Sequence, residues 1–323
     1  MKLPRRHFLH LAAGAAAMPF VAQSASAQAY PTRIVRIIVP FPAGPGIDAI
    51  ARILANRLSE VWNIQVIVEN RAGAGGNIGT EAVARSAPDG YTLLFNGASL
   101  AVSTHLYERL QYSVNDFTQV VRTTMLANVM AVPNSSDAKS LNEFLTLARS
   151  RKSTTFGSIG TGTTQHLSGE LLKQMTKIEM THVPYRGAPP AITDAIAGRV
   201  DCIIVGSTAV AEIIKAGQLR GLAVTSGKRF PLLAELPSIS EAVSGYDVSS
   251  WIALFAPAKT PPAVIRKINA DTAKVLSEDA IKQRMEQLGA VVAPSTSEEL
   301  ASVLATELDK WGRVIKEGNI KPE

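Results

Sequence analysis

The chain has 323 residues, of which 46% are hydrophobic, and this length favours two lobes with large cores over one small domain. The formal net charge is +6, but Lys2, Arg5 and Arg6 are the only charges before Ala27, so removal of that segment would leave +3. Basic residues are not clustered with aromatic ones, which argues against a nucleic-acid-binding protein. The single cysteine, Cys202, excludes a disulfide scaffold, and its apolar neighbours predict a buried thiol.

The first residues have the pattern of an export signal. Arg5-Arg6 is a twin-arginine pair, and an Ala-rich apolar segment follows from Leu11 to Val21. Ala25-Ser26-Ala27 is typical of a cleavage site, and Ala27-Gln28-Ala29 is the alternative. The apolar segment is too short to span a bilayer. We therefore expect a signal peptide over residues 1–27 and a mature protein in the periplasm, where cofactors such as NAD or ATP are poor candidates; no cofactor is expected.

From Arg33 onwards, short β-branched runs alternate with helical patterns, which predicts parallel α/β layers. In the first series, strands are predicted at Ile34–Val39, Ile64–Val68 and Thr92–Phe95, and a helix from Ile47 to Val61. In the second series, strands are predicted at Val129–Val132, Thr154–Gly157, Met180–Pro184, Val200–Val205 and Leu219–Thr225. Helices are predicted between them, the first opened by the capping-box pattern Ser140-Leu141-Asn142-Glu143.

A loop rich in Pro, Ser and Gly then leads to the apolar run Trp251–Phe255, and three helices complete the chain, the first with Thr260 as N-cap. Strand patterns near Asn128–Val132 and Ser250–Phe255 bracket the second series, which predicts two crossings between lobes. The expected division is lobe 1 over residues 30–127 and 250–323, and lobe 2 over residues 128–249.

Four predicted strand-to-helix connections are rich in glycine and small polar residues: Pro40–Asp48, Glu69–Asn77, Gly157–Thr164 and Pro184–Ala188. Ligands of open α/β sheets bind beyond the carboxyl ends of the strands, where helix N-termini expose N–H groups. If loops of two lobes face each other, they can hold a carboxylate. Each loop taken alone is equally compatible with a tight turn.

Two charged residues stand out in these loops. Arg186 follows a predicted strand end and could pair with a carboxylate through two hydrogen bonds, or could be solvated or lie between the lobes. Asp48 could cap its helix or bind an amine of the ligand. His182, within a predicted strand, is expected to have a structural role. His166 could reach the cleft from the first turn of its helix, although a structural role is favoured, and no histidine of the mature chain has metal-ligand spacing.

The motifs of common enzyme classes are not found. Gly73, Gly75, Gly76 and Gly79 do not have the spacing of a dinucleotide fingerprint. The sequence contains neither a P-loop nor a G-x-S-x-G elbow. We therefore expect a protein that is not an enzyme, although turnover of a bound acid would revive that alternative.

The loops and strand ends resemble those of the substrate-binding proteins of tripartite tricarboxylate transporters, the Bug family. The resemblance covers nearly all of residues 30–317. It rests on these ordered matches: Pro40-Phe41-Pro42-Ala43-Gly44 with Asp48, Glu69-Asn70-Arg71, Gly73-Ala74-Gly75-Gly76, Pro88-Asp89-Gly90-Tyr91-Thr92-Leu93, Asp116-Phe117, Gly160-x-Gly162 with His166-Leu167, His182-Val183-Pro184-Tyr185-Arg186-Gly187, Leu222-Ala223-Val224-Thr225, and Trp251 with Ala256-Pro257.

The resemblance implies a type II periplasmic binding fold, in which two α/β lobes joined by a two-stranded hinge close like a Venus flytrap on a ligand in the cleft between them. It also implies a small organic carboxylate as ligand, integral membrane permease subunits as partners, and a monomer. The predicted ligand-binding residues are Phe41, Ala43, Gly44, Asp48, Ser99, Gly160, Thr161, Gly162, Thr163, Thr164, Tyr185, Arg186 and Gly187.

The first loop departs from the family pattern. Pro45 stands where a second glycine is usual and removes an N–H donor, and Ile47 stands where a hydroxyl residue is frequent. We therefore hypothesise a less polar pocket, suited to a monocarboxylate or aromatic acid over citrate. A periplasmic carboxylate sensor that acts with a signalling partner is the alternative function, because the same fold serves both roles.

Overall fold

The structure is a computed structural model that describes residues 30–44, 46–151 and 153–322. The predicted signal peptide at residues 1–27 lies outside the described residues, as does Pro45. The strands in chain order are β1 (Val35–Val39), β2 (Val66–Asn70), β3 (Thr92–Gly97), β4 (Phe117–Leu126), β5 (Asn128–Pro133), β6 (Thr155–Ser158), β7 (Thr181–Pro184), β8 (Cys202–Gly206), β9 (Leu219–Val224), β10 (Ser250–Pro257) and β11 (Ala290–Val292). The α-helices are α1 (Ile47–Trp62), α2 (Asn77–Ala84), α3 (Ser99–Leu106), α4 (Leu141–Ser150), α5 (Thr164–Thr176), α6 (Ala188–Ile196), α7 (Ser207–Lys215), α8 (Pro262–Ser277), α9 (Asp279–Gln287) and α10 (Ser297–Glu317).

Two sheets form two α/β lobes. Lobe 1 is built on a six-stranded sheet of order β11-β4-β10-β3-β1-β2, in which β1 is parallel to β2 and β3 while β10 is antiparallel to β3 and β4. Lobe 2 is built on a five-stranded sheet of order β7-β6-β8-β5-β9, in which β6 is parallel to β7 and β8. Helices pack on both faces of each sheet. The carboxyl ends of the parallel strands lead into loops at one edge of each lobe.

Helix α1 shows how the sequence selects these elements. Ile50, Leu54 and Leu58 are completely buried on one face of the helix, and each such side chain contributes about 1.5–3 kcal/mol to folding. The helix ends at Asn63, whose φ of 51° is left-handed. The residues after Asn63 form a turn, and β2 therefore begins at Val66 and not at Ile64 as predicted.

The chain crosses between the lobes twice, at adjacent places. Only Ala127 separates β4 of lobe 1 from β5 of lobe 2. On the return, the Val248 N–H donates to the Thr225 carbonyl at 2.8 Å, and Ser250 pairs with Leu126 beside the first crossing. The two lobes and their two-stranded connection confirm the predicted fold class.

The C-terminal helices pack against the strands of the six-stranded sheet, and two details add to the sequence prediction. The cap of α8 is Pro261 and not Thr260, whose hydroxyl donates to the Pro257 carbonyl at 2.7 Å and does not accept from a helix N–H. Helix α10 lies on β4 and α3 and also reaches lobe 2, where Gln174 Nε2 donates to the Val314 carbonyl at 2.9 Å. This helix therefore contacts both lobes.

Candidate ligand-binding site

Contacts bring the two glycine-rich loops of lobe 1 together. A methyl group placed on Gly76 would lie 3.3 Å from Cζ of Phe41, so the aromatic ring of the first loop lies against the second loop. A methyl group on Gly75 would lie 2.7 Å from the hydroxyl of Tyr107, the residue that follows α3. Both glycines also have left-handed backbone conformations, with φ of 66° at Gly75 and 97° at Gly76, which favour glycine over other residues.

These contacts between loops continue into lobe 2. Leu106, the last residue of α3, lies so close to Gly162 that a methyl group there would collide with its side chain. Within lobe 2, a methyl group on Gly160 would lie 3.5 Å from the Tyr185 carbonyl. All four predicted loops therefore form one continuous cluster at the contact between the lobes.

Asp48 organises the first loop. Its buried carboxylate accepts hydrogen bonds from the Gly44 N–H at 3.0 Å, from Arg52 Nε at 3.0 Å and from Asn70 Nδ2 at 2.9 Å. Asn70 Nδ2 also donates to the Phe41 carbonyl at 3.1 Å. Burial by itself would raise the pKa of the Asp48 carboxyl, but these three donors outweigh it and hold the pKa below its usual value. The carboxylate thus ties the loop to β2 and makes no cap hydrogen bond to α1.

The N-terminus of α1 is left open by this arrangement. Gly46 caps the helix with a φ of 89° and no side-chain hydrogen bond. Ala43 and Gly44 are exposed, and methyl groups on Gly44 or Gly46 would meet only open space. The first-turn N–H groups, at the positive end of the helix dipole, are therefore available to an anion.

Ser99 lies at the start of α3, where its half-buried hydroxyl donates to Oδ1 of Asn96 at 2.6 Å. The Gly97 N–H donates to the same oxygen at 2.8 Å. Ser99 therefore keeps its acceptor lone pairs for other groups, while its proton is committed to the turn.

The loop from Gly160 to Thr164 in lobe 2 is held by its own polar groups. Thr163 caps α5 by accepting from the His166 N–H at 3.3 Å and donates to the Gly160 carbonyl at 2.7 Å. The Gly160 N–H donates to the Ser158 hydroxyl at 3.2 Å, and the Gly162 N–H donates to Nδ1 of His166 at 3.1 Å. Thr161 and Thr164 are half-buried in this loop.

His166 is a neutral support for that loop. Burial lowers its pKa to about 3, with His182 and Lys173 adding to the effect. The two imidazole rings stack at 3.8 Å, and Nε2 of His182 lies 2.7 Å from the Ser158 hydroxyl. The structural roles predicted for both histidines are confirmed by these contacts.

The fourth loop presents a cation. The Tyr185 hydroxyl donates to Asp194 at 2.9 Å, and burial together with that carboxylate raises the pKa of Tyr185 to about 12. Arg186 is exposed and makes no ion pair or hydrogen bond within the described part of the chain. Gly187 caps α6 with a φ of 110°, but Pro189 and Pro190 remove two donors from the first turn. The exposed guanidinium of Arg186 is therefore the positive charge that this loop presents.

The sequence interpretation missed several supports. Asn70 lies in the quoted Glu69-Asn70-Arg71 segment, and its position after a strand could have indicated its role. Leu106 and Tyr107 carry no sequence signal, because their importance comes only from their contact with glycines of other loops. Among the residues that the structure describes, no group of acidic, histidine or cysteine side chains could hold a metal ion.

Comparisons with known proteins agree on one protein family. The sequence profile of the family described as "Tripartite tricarboxylate transporter family receptor" matches residues 50–320. A UPF0065 protein from the tcbD–tcbE intergenic region of Pseudomonas sp. (strain P51) is 40% identical over 293 residues, which are 90% of this chain and 87% of that protein.

Solved structures give the same result. The R. palustris protein Rpa4515 with adipate has a TM-score of 0.82 and 34% identity, and the match covers 91% of this chain and 100% of that chain. The periplasmic binding protein BugD has a TM-score of 0.79 and 29% identity, and the match covers 91% of this chain and 100% of that chain.

In the described ranges of this chain, no helix combines the length and apolarity needed to cross a membrane.

Proposed function

The chain belongs to the tripartite tricarboxylate transporter receptor family, and we propose that it is a periplasmic solute-binding protein that captures a small organic carboxylate and delivers it to membrane permease subunits of that transporter type. The observation that carries the proposal is the cluster of glycine-rich loops between the lobes, with the open N-terminus of α1 on one side. A carboxylate is the anion that fits N–H groups of this kind.

The charges of the cluster favour an anion over a cation. Asp48, the acidic residue of the first loop, is already bonded to three donors, whereas Arg186 has no partner among the described residues. The similar R. palustris protein has adipate in its structure, which supports a dicarboxylate of that size as a first candidate ligand.

We place the lobe boundary at the two crossings, so that lobe 1 comprises residues 30–127 and 250–323 and lobe 2 residues 128–249. A hinge at Ala127 and Ser249 would let the lobes close on the ligand as rigid units, because both crossings are short and adjacent. We further propose that the protein works as a monomer after removal of an N-terminal twin-arginine signal.

The site does not favour catalysis. The nearest arrangement to a nucleophile and its base is Ser158 with His182, whose Oγ and Nε2 atoms are 2.7 Å apart. The Ser158 hydroxyl already donates to the Gly160 carbonyl within its own loop, so it is not arranged to attack a substrate. We therefore propose binding without turnover.

The test is a thermal-shift measurement on the chain exported with its own N-terminal segment and purified from the periplasm. The panel is adipate, succinate, malate, citrate and benzoate, with putrescine as a cationic control. A ligand that binds only the native state stabilises it by about 2.7 kcal/mol at a hundredfold excess over Kd. An upward shift with one or more acids supports the proposal, whereas a shift with putrescine alone would reject it.

A pull-down with membranes that contain the permease subunits separates transport from sensing. Retention of the permease in the presence of the bound acid supports delivery to a transporter. Retention of a signalling protein in its place would favour the sensor alternative.

A further inference from the structure

Asn128 occupies a special position at the base of lobe 2. It is the first residue of β5, directly after the crossing residue Ala127, and it pairs with Gly206 at the carboxyl end of β8. The Ser207 N–H, at the start of α7, donates to the Ala127 carbonyl at 2.8 Å. Asn128 therefore lies where the hinge meets the loop edge of lobe 2.

The amide of Asn128 is oriented by a chain of hydrogen bonds. Oγ1 of Thr164 donates to Oε1 of Gln165 at 3.3 Å, and Nε2 of Gln165 donates to Oδ1 of Asn128 at 2.9 Å. In both hydrogen bonds the donor lies on the Thr164 side and the acceptor on the Asn128 side. Because the oxygen of the Asn128 amide already accepts from Gln165, the Nδ2 group is left to donate to a further acceptor.

That final donor has no partner. Asn128 is only 1% exposed, and its Nδ2 finds no acceptor in the described part of the protein. A buried amide donor without a partner is unfavourable, because it has lost its hydrogen bond to water and gained none in return. The unpaired hydroxyl of Thr154 differs, since it lies at the amino end of β6, away from the loop edge.

We infer that Asn128 orients the ligand: its Nδ2 group donates a hydrogen bond to an acceptor oxygen of the bound carboxylate at the base of the cleft. The inference rests on the proposed function. In the proposed closure the lobes would rotate about Ala127, the residue next to Asn128, so closing would bring the ligand against this amide. The hydrogen-bond chain also links it to Thr164 at the N-terminus of α5, so one ligand would contact both.

The experiment measures the Kd of adipate by titration calorimetry for the exported, full protein and its Asn128→Asp variant at several pH values; succinate or benzoate is used if it binds the wild type more tightly. Aspartate keeps the shape and can still accept from Gln165, but at pH 7.5 it offers no donor. We expect at least a tenfold weaker affinity. As pH falls the buried carboxyl is protonated and regains an O–H donor, so the ratio of variant to wild-type Kd should decrease.

Thr154→Val is the matched control, because it removes another unpaired buried polar group of the same lobe and should leave the Kd unchanged. If Asn128→Asp does not fold, Asn128→Ala, which also lacks a side-chain donor, replaces it. In addition, the Asn128 side-chain signal in a ¹H–¹⁵N spectrum should shift on ligand addition. Binding by the variant within threefold of wild type at pH 7.5 overturns the inference alone. Failure of the wild type to bind any acid overturns the proposed function as well.

Discussion

Replacement of Asp48 by asparagine tests whether this residue supports the first loop or binds the ligand. The carboxylate accepts from the Gly44 N–H, Arg52 and Asn70, and it is almost completely buried. Hydrogen bonds to a charged group contribute about 1.5–3 kcal/mol each. An asparagine whose amide oxygen replaces Oδ2 can still accept from Gly44 and Arg52, but it carries no charge and turns its NH₂ group toward the NH₂ group of Asn70. We therefore expect Asp48→Asn to lower the free energy of unfolding by about 3 kcal/mol.

The assay is equilibrium urea unfolding followed by tryptophan fluorescence, with Asp137→Asn as the matched control. Asp137 is an exposed carboxylate 3.9 Å from Arg151, and such a pair contributes about 0–1 kcal/mol. Because the pKa of Asp48 is lowered in the folded state, its contribution is complete above the ordinary carboxyl pKa and is lost as pH falls through the lowered value. The difference between wild type and Asp48→Asn should accordingly shrink at acidic pH.

Two results would refute this reasoning. The first is a stability of Asp48→Asn within about 0.5 kcal/mol of wild type, since surface substitutions rarely exceed that value. The second is an unchanged stability with a loss of affinity confined to ligands that carry an amine, which would restore the direct contact with the ligand.

Three further outcomes follow from the site. Arg186→Gln should weaken carboxylate binding several-fold and reduce the salt dependence of Kd, measured by calorimetry at two ionic strengths. Tyr185→Phe is the control and should change Kd less than threefold, because the Tyr185 hydroxyl is bonded to Asp194 of α6. Gly162→Ala should lower affinity at least tenfold in the same assay, because a methyl group would collide with Leu106 at the contact between the lobes. The depressed pKa of His166 means that its stabilising effect is complete above about pH 6.5 and decreases by about 1.4 kcal/mol per pH unit below it; urea titrations should show this slope in wild type and not in His166→Gln.

The sequence predicts the fold well where periodicity is strong. The buried face of α1 and the strands that precede the glycine-rich loops follow directly from the spacing of apolar residues. Strand β4 was not predicted, because Gln119, Arg122 and its threonines interrupt the apolar pattern. The structure explains Arg122, whose Nε donates to the Ala293 carbonyl at 3.0 Å. Such a long-range partner cannot be inferred from local pattern.

The site was predictable as a set of loops but not in its internal roles. Glycine spacing indicated which segments meet, and the contacts of Gly75, Gly76 and Gly162 support that prediction. The direction in which polar groups point was not predictable, since the Tyr185 hydroxyl and the Asp48 carboxylate are bonded to partners supplied by tertiary packing. The predicted ligand contacts themselves, and the less polar pocket inferred from Pro45 and Ile47, stay predictions.

The insertion of β10 between β3 and β4 has a consequence for folding during synthesis. Lobe 2 is one continuous segment, whereas the central strand of lobe 1 is made only after lobe 2 is complete. Until residue 257 leaves the ribosome, β3 and β4 each have an edge that lacks its final neighbour. Unpaired edges invite association with other chains. During synthesis lobe 1 therefore exposes two strand edges until β10 is made, whereas every strand of the five-stranded sheet has already been synthesised.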